Sequence, residues 1–373
     1  NCPSDLSEYV KPVLKGNEST SLSIYDTNPE SPDGKYVCLI RYSGIVQGGH
    51  NSGVIKSDVM IKNRITGDLK KISEIRADNH NGANAFWIDN TKIAFMGHYL
   101  HYFEVYDVEK NKLLYGPVKG ELGHKSFQGK IFFSACNLRL LSPNKFREKF
   151  DENAEGIYCL NVNNGDIKLV VSKNDIHVAF MKQNSQVTDR DIEILHVEPS
   201  PDNKSIFFDF RQQGVGSLHG FVSADSTGIR WIPVRPMHVV WYDNTTMLGV
   251  DTGDLEKKIF RFDAKGNPLE MLGGTSTHVG ASPDRNWYVG ESAYYGPEED
   301  GYTRVYLYKK GVKEPVAILS EWKNNKITWK WVAHVNPSFS SDGKRIYFIR
   351  ASDKEDKFEA VYLELSEYLN SIY

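Results

Sequence analysis

The sequence is short of the features that mark several common classes of protein. It has only four cysteines, Cys2, Cys38, Cys136 and Cys159, and none sits in a C-x-x-C spacing. Neither a disulfide framework nor a thiolate zinc site is therefore indicated. No apolar run approaches the roughly 18 residues of a membrane span. A basic footprint is missing: 45 Lys and Arg stand against 48 Asp and Glu, for a net charge of -3, which argues against a nucleic-acid binder. Absence of a Gly-x-Ser-x-Gly elbow, a P-loop and a Gly-x-Gly-x-x-Gly turn leaves serine-hydrolase and nucleotide chemistry unsupported. Helical periodicity is nearly absent too; one polar stretch, 143–150, predicts a single short helix.

What is present points to strands. Aromatic residues make up 12% of the chain, with 20 Tyr and 18 Phe, a composition that suits strands better than helices. Turn-plus-strand units recur, as in Ser31-Pro32-Asp33-Gly34 before Lys35-Tyr36-Val37-Cys38-Leu39-Ile40, and again in Ser200-Pro201-Asp202, Ser282-Pro283-Asp284 and Ser341-Asp342-Gly343. The seven turn markers fall at 33, 89, 129, 202, 243, 284 and 342, separated by 56, 40, 73, 41, 41 and 58 residues. Three gaps near 41 match the period of a four-stranded propeller blade, and the longer gaps fit blades with loop insertions at 42–54, 136–153 and 293–303. Second hairpins follow several units, with turns of the Asn-Gly or Lys-Gly kind after Tyr106-Asp107, Cys159-Leu160 and Phe262-Asp263. The expected architecture is all-β, a seven-bladed β-propeller forming one domain over 1–373. A β-sandwich or two smaller β domains would not keep seven units in phase.

Six of the eleven histidines precede a turn marker by a similar distance: His80 by 9, His124 by 5, His196 by 6, His238 by 5, His278 by 6 and His334 by 8. First strands line the channel of a propeller, so residues in equivalent phase meet around its axis. Imidazole suits borderline divalent metals and general acid–base work at neutral pH. Arg211, Arg230 and Arg235 are placed to pair with a substrate carboxylate through a bidentate fork. Trp87, Trp241, Trp329, Trp331 and the Tyr294-Tyr295 pair either stack on sugar faces or pack between blades. The chain begins at Asn1-Cys2. A removed leader, with Cys2 as a lipid-anchor point, predicts a periplasmic or secreted location; the alternative is cytoplasmic.

Four stretches carry a family likeness: Ile194-Leu195-His196-Val197-Glu198-Pro199, Pro236-Met237-His238-Val239-Val240-Trp241, Thr277-His278-Val279-Gly280 and His334-Val335-Asn336-Pro337. In this order they resemble the oligogalacturonate lyases, seven-bladed propellers acting on pectin fragments. The resemblance implies β-elimination at a uronate with a manganese-like divalent ion on the substrate carboxylate. It implies His278 and His334 as metal ligands, His238 as the base and His196 in the same pocket. Two departures stand out. Asn336 occupies the second place of the family's His-x-His pair, and Trp331 stands where a glutamine is expected. Leu218 replaces an expected arginine, for which Arg211 is the substitute.

The expected function is thus a lyase on uronate-containing oligosaccharides or polysaccharides, with His238, His196 and Arg211 catalytic. Substrate contacts are expected from His80, His124, Arg235, Trp331 and Tyr294, and metal ligation from His278, His334 and Asn336. The alternative is a non-catalytic propeller that binds glycans or protein partners.

Overall fold

The computed structural model describes residues 2–44, 55–78, 80–98, 102–135, 155–183, 192–212, 216–254, 256–292, 300–323, 334–351, 357–366 and 369. Strands dominate and form seven antiparallel blades. The first comprises Thr20–Ser21, Tyr36–Tyr42, Ile55–Asn63 and Leu69–Ala77, and the second Phe86–Trp87, Lys92–His98, Tyr102–Asp107 and Lys112–Lys119. The third holds Glu121–Leu122, Lys130–Ala135, Gly156–Asn161 and Ile167–Ser172. Ile192–Pro199, Ser205–Gln212, Gly216–Ser223 and Arg230–Pro233 make the fourth. Pro236–Trp241, Met247–Asp251, Lys258–Phe262 and Pro268–Thr275 make the fifth. The sixth runs through Val279–Ala281, Trp287–Glu291, Tyr302–Lys309 and Ala317–Lys323. The seventh has Ser338–Phe339, Arg345–Ala351 and Phe358–Glu364, and takes its fourth strand, Lys11–Pro12, from the start of the chain. The ring is closed by that exchange, and the sixth blade gains Ser4–Asp5 as a parallel outer strand. The expected seven-bladed propeller is the observed fold.

Every turn marker read from the sequence lies between the first and second strands of its blade, and four of these turns are congruent. The serine hydroxyl donates to the aspartate two residues on, at 2.7 Å for Ser31–Asp33, 2.6 Å for Ser200–Asp202, 2.5 Å for Ser282–Asp284 and 2.6 Å for Ser340–Asp342. The residue after that aspartate is left-handed, which Gly34 and Gly343 adopt without strain, while Asn203 and Arg285 adopt it with a Cβ. Local hydrogen bonding, not packing, makes this motif legible.

The core follows the seams between blades. One apolar cluster joins the seventh, first and sixth blades, and others bridge the third to the fourth and the fifth to the sixth. Two tryptophans clip adjacent blades in the same way: Trp87 Nε1 donates to the Pro29 carbonyl at 2.8 Å and Trp241 Nε1 to that of Glu198 at 2.9 Å. Both are buried, so packing between blades is what they do. A helix, Lys173–Gln183, lies between the third and fourth blades and buries Ile176 and Phe180. The sequence pattern predicts no helix there, because two apolar residues in a polar run are too weak a period. The predicted helix at 143–150 and the insertion 136–153 fall outside the described residues, as does most of 42–54 and 293–303. Among the described residues no helix is long and apolar enough to cross a membrane.

Candidate active site

The six phased histidines do meet, and they meet in a continuous chain of ring contacts. Ring centroids are 4.0 Å apart for His80 and His334, 5.6 Å for His278 and His334, and 4.2 Å for His238 and His278. On the other side of the channel His124 and His196 are 5.3 Å apart. Tyr25 joins the two arcs, its ring 4.9 Å from His124, 5.3 Å from His238 and 5.2 Å from His278. Each blade thus supplies one aromatic or imidazole ring to the axis.

His196 and His238 differ from the rest. Both stand at a one-residue bulge in a first strand, where three steps on one strand (Leu195 to Glu198, Met237 to Val240) oppose two on its partner. Both have left-handed backbones, with φ of 48° and 52°. A bulge re-aims a side chain at the cost of strain, and such strain gathers at functional sites. Of the ring members these two alone keep partial exposure, while Tyr25, His80, His124, His278 and His334 are buried. The pair is therefore what a molecule entering the channel meets.

Hydrogen bonds set the tautomers. His238 Nδ1 lies 2.7 Å from the Thr277 carbonyl, which only accepts; Nδ1 carries the proton and Nε2 the lone pair. His278 Nδ1 is 2.8 Å from Glu291 Oε1. His80 Nδ1 and His334 Nε2 share one proton across 2.9 Å, and His124 Nε2 faces His196 Nδ1 at 3.2 Å. Burial keeps the imidazoles neutral: it drives His278 down to about 3 and, with His278 alongside, His238 well below its ordinary value. His124 is driven down by burial and by His196. Burial also pushes the Glu291 and Glu198 carboxyls well up.

A testable pH dependence follows. A histidine with a depressed folded value binds its proton only in the unfolded chain, so its stability contribution is present above about 6.5 and lost as pH falls. A buried carboxyl raised above 4.5 does the opposite. Between about pH 4.5 and 6.5 the His278–Glu291 and His124–Glu198 pairs therefore offset one another. His238 Nδ1 bonds the Thr277 carbonyl rather than a carboxyl. Its proton is expected to give about 1.4 kcal/mol of lost stability per pH unit on acidification. In urea titrations across that window H238Q should flatten the slope by this amount; an unchanged slope would contradict the assignment.

Arg211 lies on the strand Ser205–Gln212, two residues beyond Asp209 and on the same face. It acts electrostatically on Tyr25, Asp209 and His238, and among the described residues its guanidinium has no ion pair. Asp209 is held by His219 at 2.7 Å, whose other ring nitrogen meets the Pro236 carbonyl at 2.6 Å. Burial works to raise the Asp209 carboxyl, but His219, His196 and Arg211 together hold the group below its ordinary value. Arg235 is exposed and engaged, its guanidinium on both Asp251 oxygens at 2.9 and 3.1 Å. Trp331 and Tyr294 lie outside the described residues. Sequence reasoning missed Tyr25, Asp209, His219, Glu198 and Glu291. A lone carboxylate inside an apolar strand, as in Phe207-Phe208-Asp209-Phe210, is the signal that could have found two of them.

The ligand set expected for a divalent ion does not fit as arranged. Asn336 Oδ1 is buried with no hydrogen-bond partner, as a donor awaiting an ion would be, and its amide nitrogen donates to the His80 carbonyl at 2.9 Å. But His334 Nε2 is taken up by His80, and His278 Nδ1 by Glu291. Among the described residues no three His, Cys, Asp or Glu side chains are placed to hold one ion.

Two further cavities lie elsewhere. One of about 420 Å³, bounded by Asp26, Lys125, Arg285 and Ser341, is at the turn end of the channel. Another of about 1040 Å³, between the fifth and sixth blades, is lined by Thr275, Arg304, Tyr308 and Glu321. In the latter Arg304 is paired with Glu321 and Asp300.

No protein-family model matches the sequence, and neither does any curated protein. Solved structures do match. An oligogalacturonate lyase in complex with manganese is 16% identical, with 97% of this chain and 94% of that one covered at a TM-score of 0.64. An oligogalacturonate lyase from Vibrio parahaemolyticus is 13% identical, covering 95% and 93% at a TM-score of 0.61. Over nearly its whole length, the chain has the seven-bladed propeller fold of the oligogalacturonate lyase-like proteins.

Proposed function

We propose that the protein is a lyase that cleaves uronate-containing oligosaccharides or polysaccharides by β-elimination at the histidine end of its channel. The observation that carries this is the ring of six histidines and a tyrosine, of which the two strained, bulged members alone keep partial exposure. Elimination needs a base at C5, a cation against the carboxylate and a sheltered, neutral surround. His238 offers an oriented Nε2 lone pair. Arg211, with no ion pair among the described residues, offers a guanidinium within electrostatic reach of it, suited to a bidentate hold on the uronate carboxylate, which acidifies the C5 hydrogen. His196, on the neighbouring blade, lines the same mouth, and His80 and His124 hold the inner ring in place. Arg235 would reach a distal sugar only by leaving Asp251.

A divalent ion at His278, His334 and Asn336 would add to the charge on the carboxylate if the His80–His334 bond opened. The chemistry assigned to Arg211 and His238 proceeds without it. Activity is therefore expected to be the same with added manganese and with excess chelator; loss of activity in chelator would restore those three residues as ligands. An extracytoplasmic setting belongs to the same proposal.

Incubation with pectic, ulvan and glycosaminoglycan oligosaccharides, followed by ultraviolet absorbance of the conjugated product, tests the function. Growth of that band with one class is the expected result. Binding without cleavage of any class would favour the non-catalytic glycan-binding propeller.

A further inference from the structure

The first blade has no histidine in the phase of the other six, and Tyr25 stands in that place. It precedes Asp33 by 8 residues, as His334 precedes Asp342. Its backbone is clamped on both sides: the Ile24 amide donates to the Asn81 carbonyl at 3.2 Å and the Asp26 amide to that of Pro337 at 3.1 Å. Asp26 is left-handed at φ 56° and pairs with Lys125 at 2.7 Å, tying the segment to the third blade as well. So held, the ring lies across the axis against three imidazoles from the third, fifth and sixth blades. Tyr25 is 2% exposed, yet its hydroxyl makes no hydrogen bond among the described residues. Buried tyrosine hydroxyls ordinarily find a partner. Fixed backbone, packed ring and unpartnered hydroxyl together describe a group presented to a substrate.

We propose that Tyr25 is the proton donor to the departing oxygen of the elimination, an assignment that rests on the lyase reading above. His238 Nε2 takes the C5 hydrogen as a proton. The electron pair of that C–H bond forms the C4=C5 double bond, and the C4–O bond breaks. The departing oxygen takes the proton of the Tyr25 hydroxyl. Tyr25 is left as phenolate and His238 as imidazolium, and a proton passed from one to the other through water restores both. Burial and the nearby Asp209, Glu198 and Asp26 carboxylates keep the phenol protonated between turnovers, and the positive charge of Arg211 offsets part of their effect when the phenolate forms. Donor and acceptor are thus adjacent rings, 5.3 Å apart, from the first and fifth blades.

The test is Y25F assayed on two substrates: a uronate oligosaccharide, and a uronate carrying fluorine at C4, which leaves as fluoride and needs no proton. On the oligosaccharide kcat is expected to fall about 10²-fold or more; on the fluoride it should stay within about threefold of wild type. Y25F equal to wild type on the oligosaccharide overturns the proposal, and so does a comparable loss on both substrates, which would make Tyr25 a positioning residue. Wild-type inactivity on both substrates overturns the lyase reading itself, a different result. Phenylalanine keeps every ring contact and removes an oxygen that nothing described bonds, so the melting temperature should match wild type. A clear drop would contradict the unpartnered hydroxyl.

Discussion

Replacing His238 with alanine is expected to lower kcat on a cleavable uronate oligosaccharide by about 10²–10⁴-fold, the usual contribution of a positioned general base. KM should change little. The size of the effect comes from orientation. The bulge between Met237 and Val240 turns the imidazole out of the strand, and the Thr277 carbonyl fixes which nitrogen carries the proton. Among the described residues the neighbouring histidines are engaged otherwise: His196 Nδ1 is bonded to His124, and His278 is buried against Glu291. Steady-state kinetics with a circular-dichroism check of the fold decide the matter. A variant that keeps more than about a third of wild-type kcat would remove His238 as the base.

Glu30→Ala is expected to cost about 3–5 kcal/mol of stability, the range for breaking a buried ion pair by removing one partner. The Glu30 side chain is 1% exposed. Its two oxygens accept from Arg345 Nη2 and Nε at 2.7 Å each, and Oε2 also accepts from the Tyr347 hydroxyl at 2.5 Å. Glu30 belongs to the first blade, and Arg345 and Tyr347 to the seventh, so the network reinforces the closure made by Lys11–Pro12 pairing with the last strand. Alanine would leave Arg345 with Asp342 and Glu364, which places the loss toward the lower end of the range. Chemical denaturation measures it, and a loss under about 1 kcal/mol would show that ring closure does not depend on this contact.

What the sequence made legible, and what it hid, divides along physical lines. Four of the seven turns were readable because Ser-x-Asp turns are built from hydrogen bonds within six residues, and the other three followed from their spacing. Convergence of the histidines was readable because a first strand lines the axis, so phase alone brings His80 and His334 together. Tyr25 is equally in phase, at the same 8-residue distance from its turn as His334, but it is a different residue type from the six histidines. Its role as a bridge between the two arcs of rings comes from packing across the axis. The carboxylates escaped for a different reason. Glu198 reaches His124 across from the fourth blade to the third, and Glu291 reaches His278 across the sixth blade, and such pairings have no trace in composition. Nor do the bulges at His196 and His238 show in the alternation of apolar residues, because one extra residue only shifts it. Those two bulges separate the accessible histidines from the buried ones, and so distinguish His196 and His238 from the other four. The metal expectation rested on which residue types stand at His278, His334 and Asn336, whereas the hydrogen bonds to His80 and Glu291 decide what those residues are free to hold.

The most direct measurement is cleavage of a uronate oligosaccharide in heavy-oxygen water, with products read by mass spectrometry. Elimination at the histidine ring predicts one fragment with an unsaturated non-reducing end and no heavy oxygen in either new terminus. Heavy oxygen incorporated at the cleavage point, or no cleavage of any uronate class by a folded protein, would contradict the lyase account.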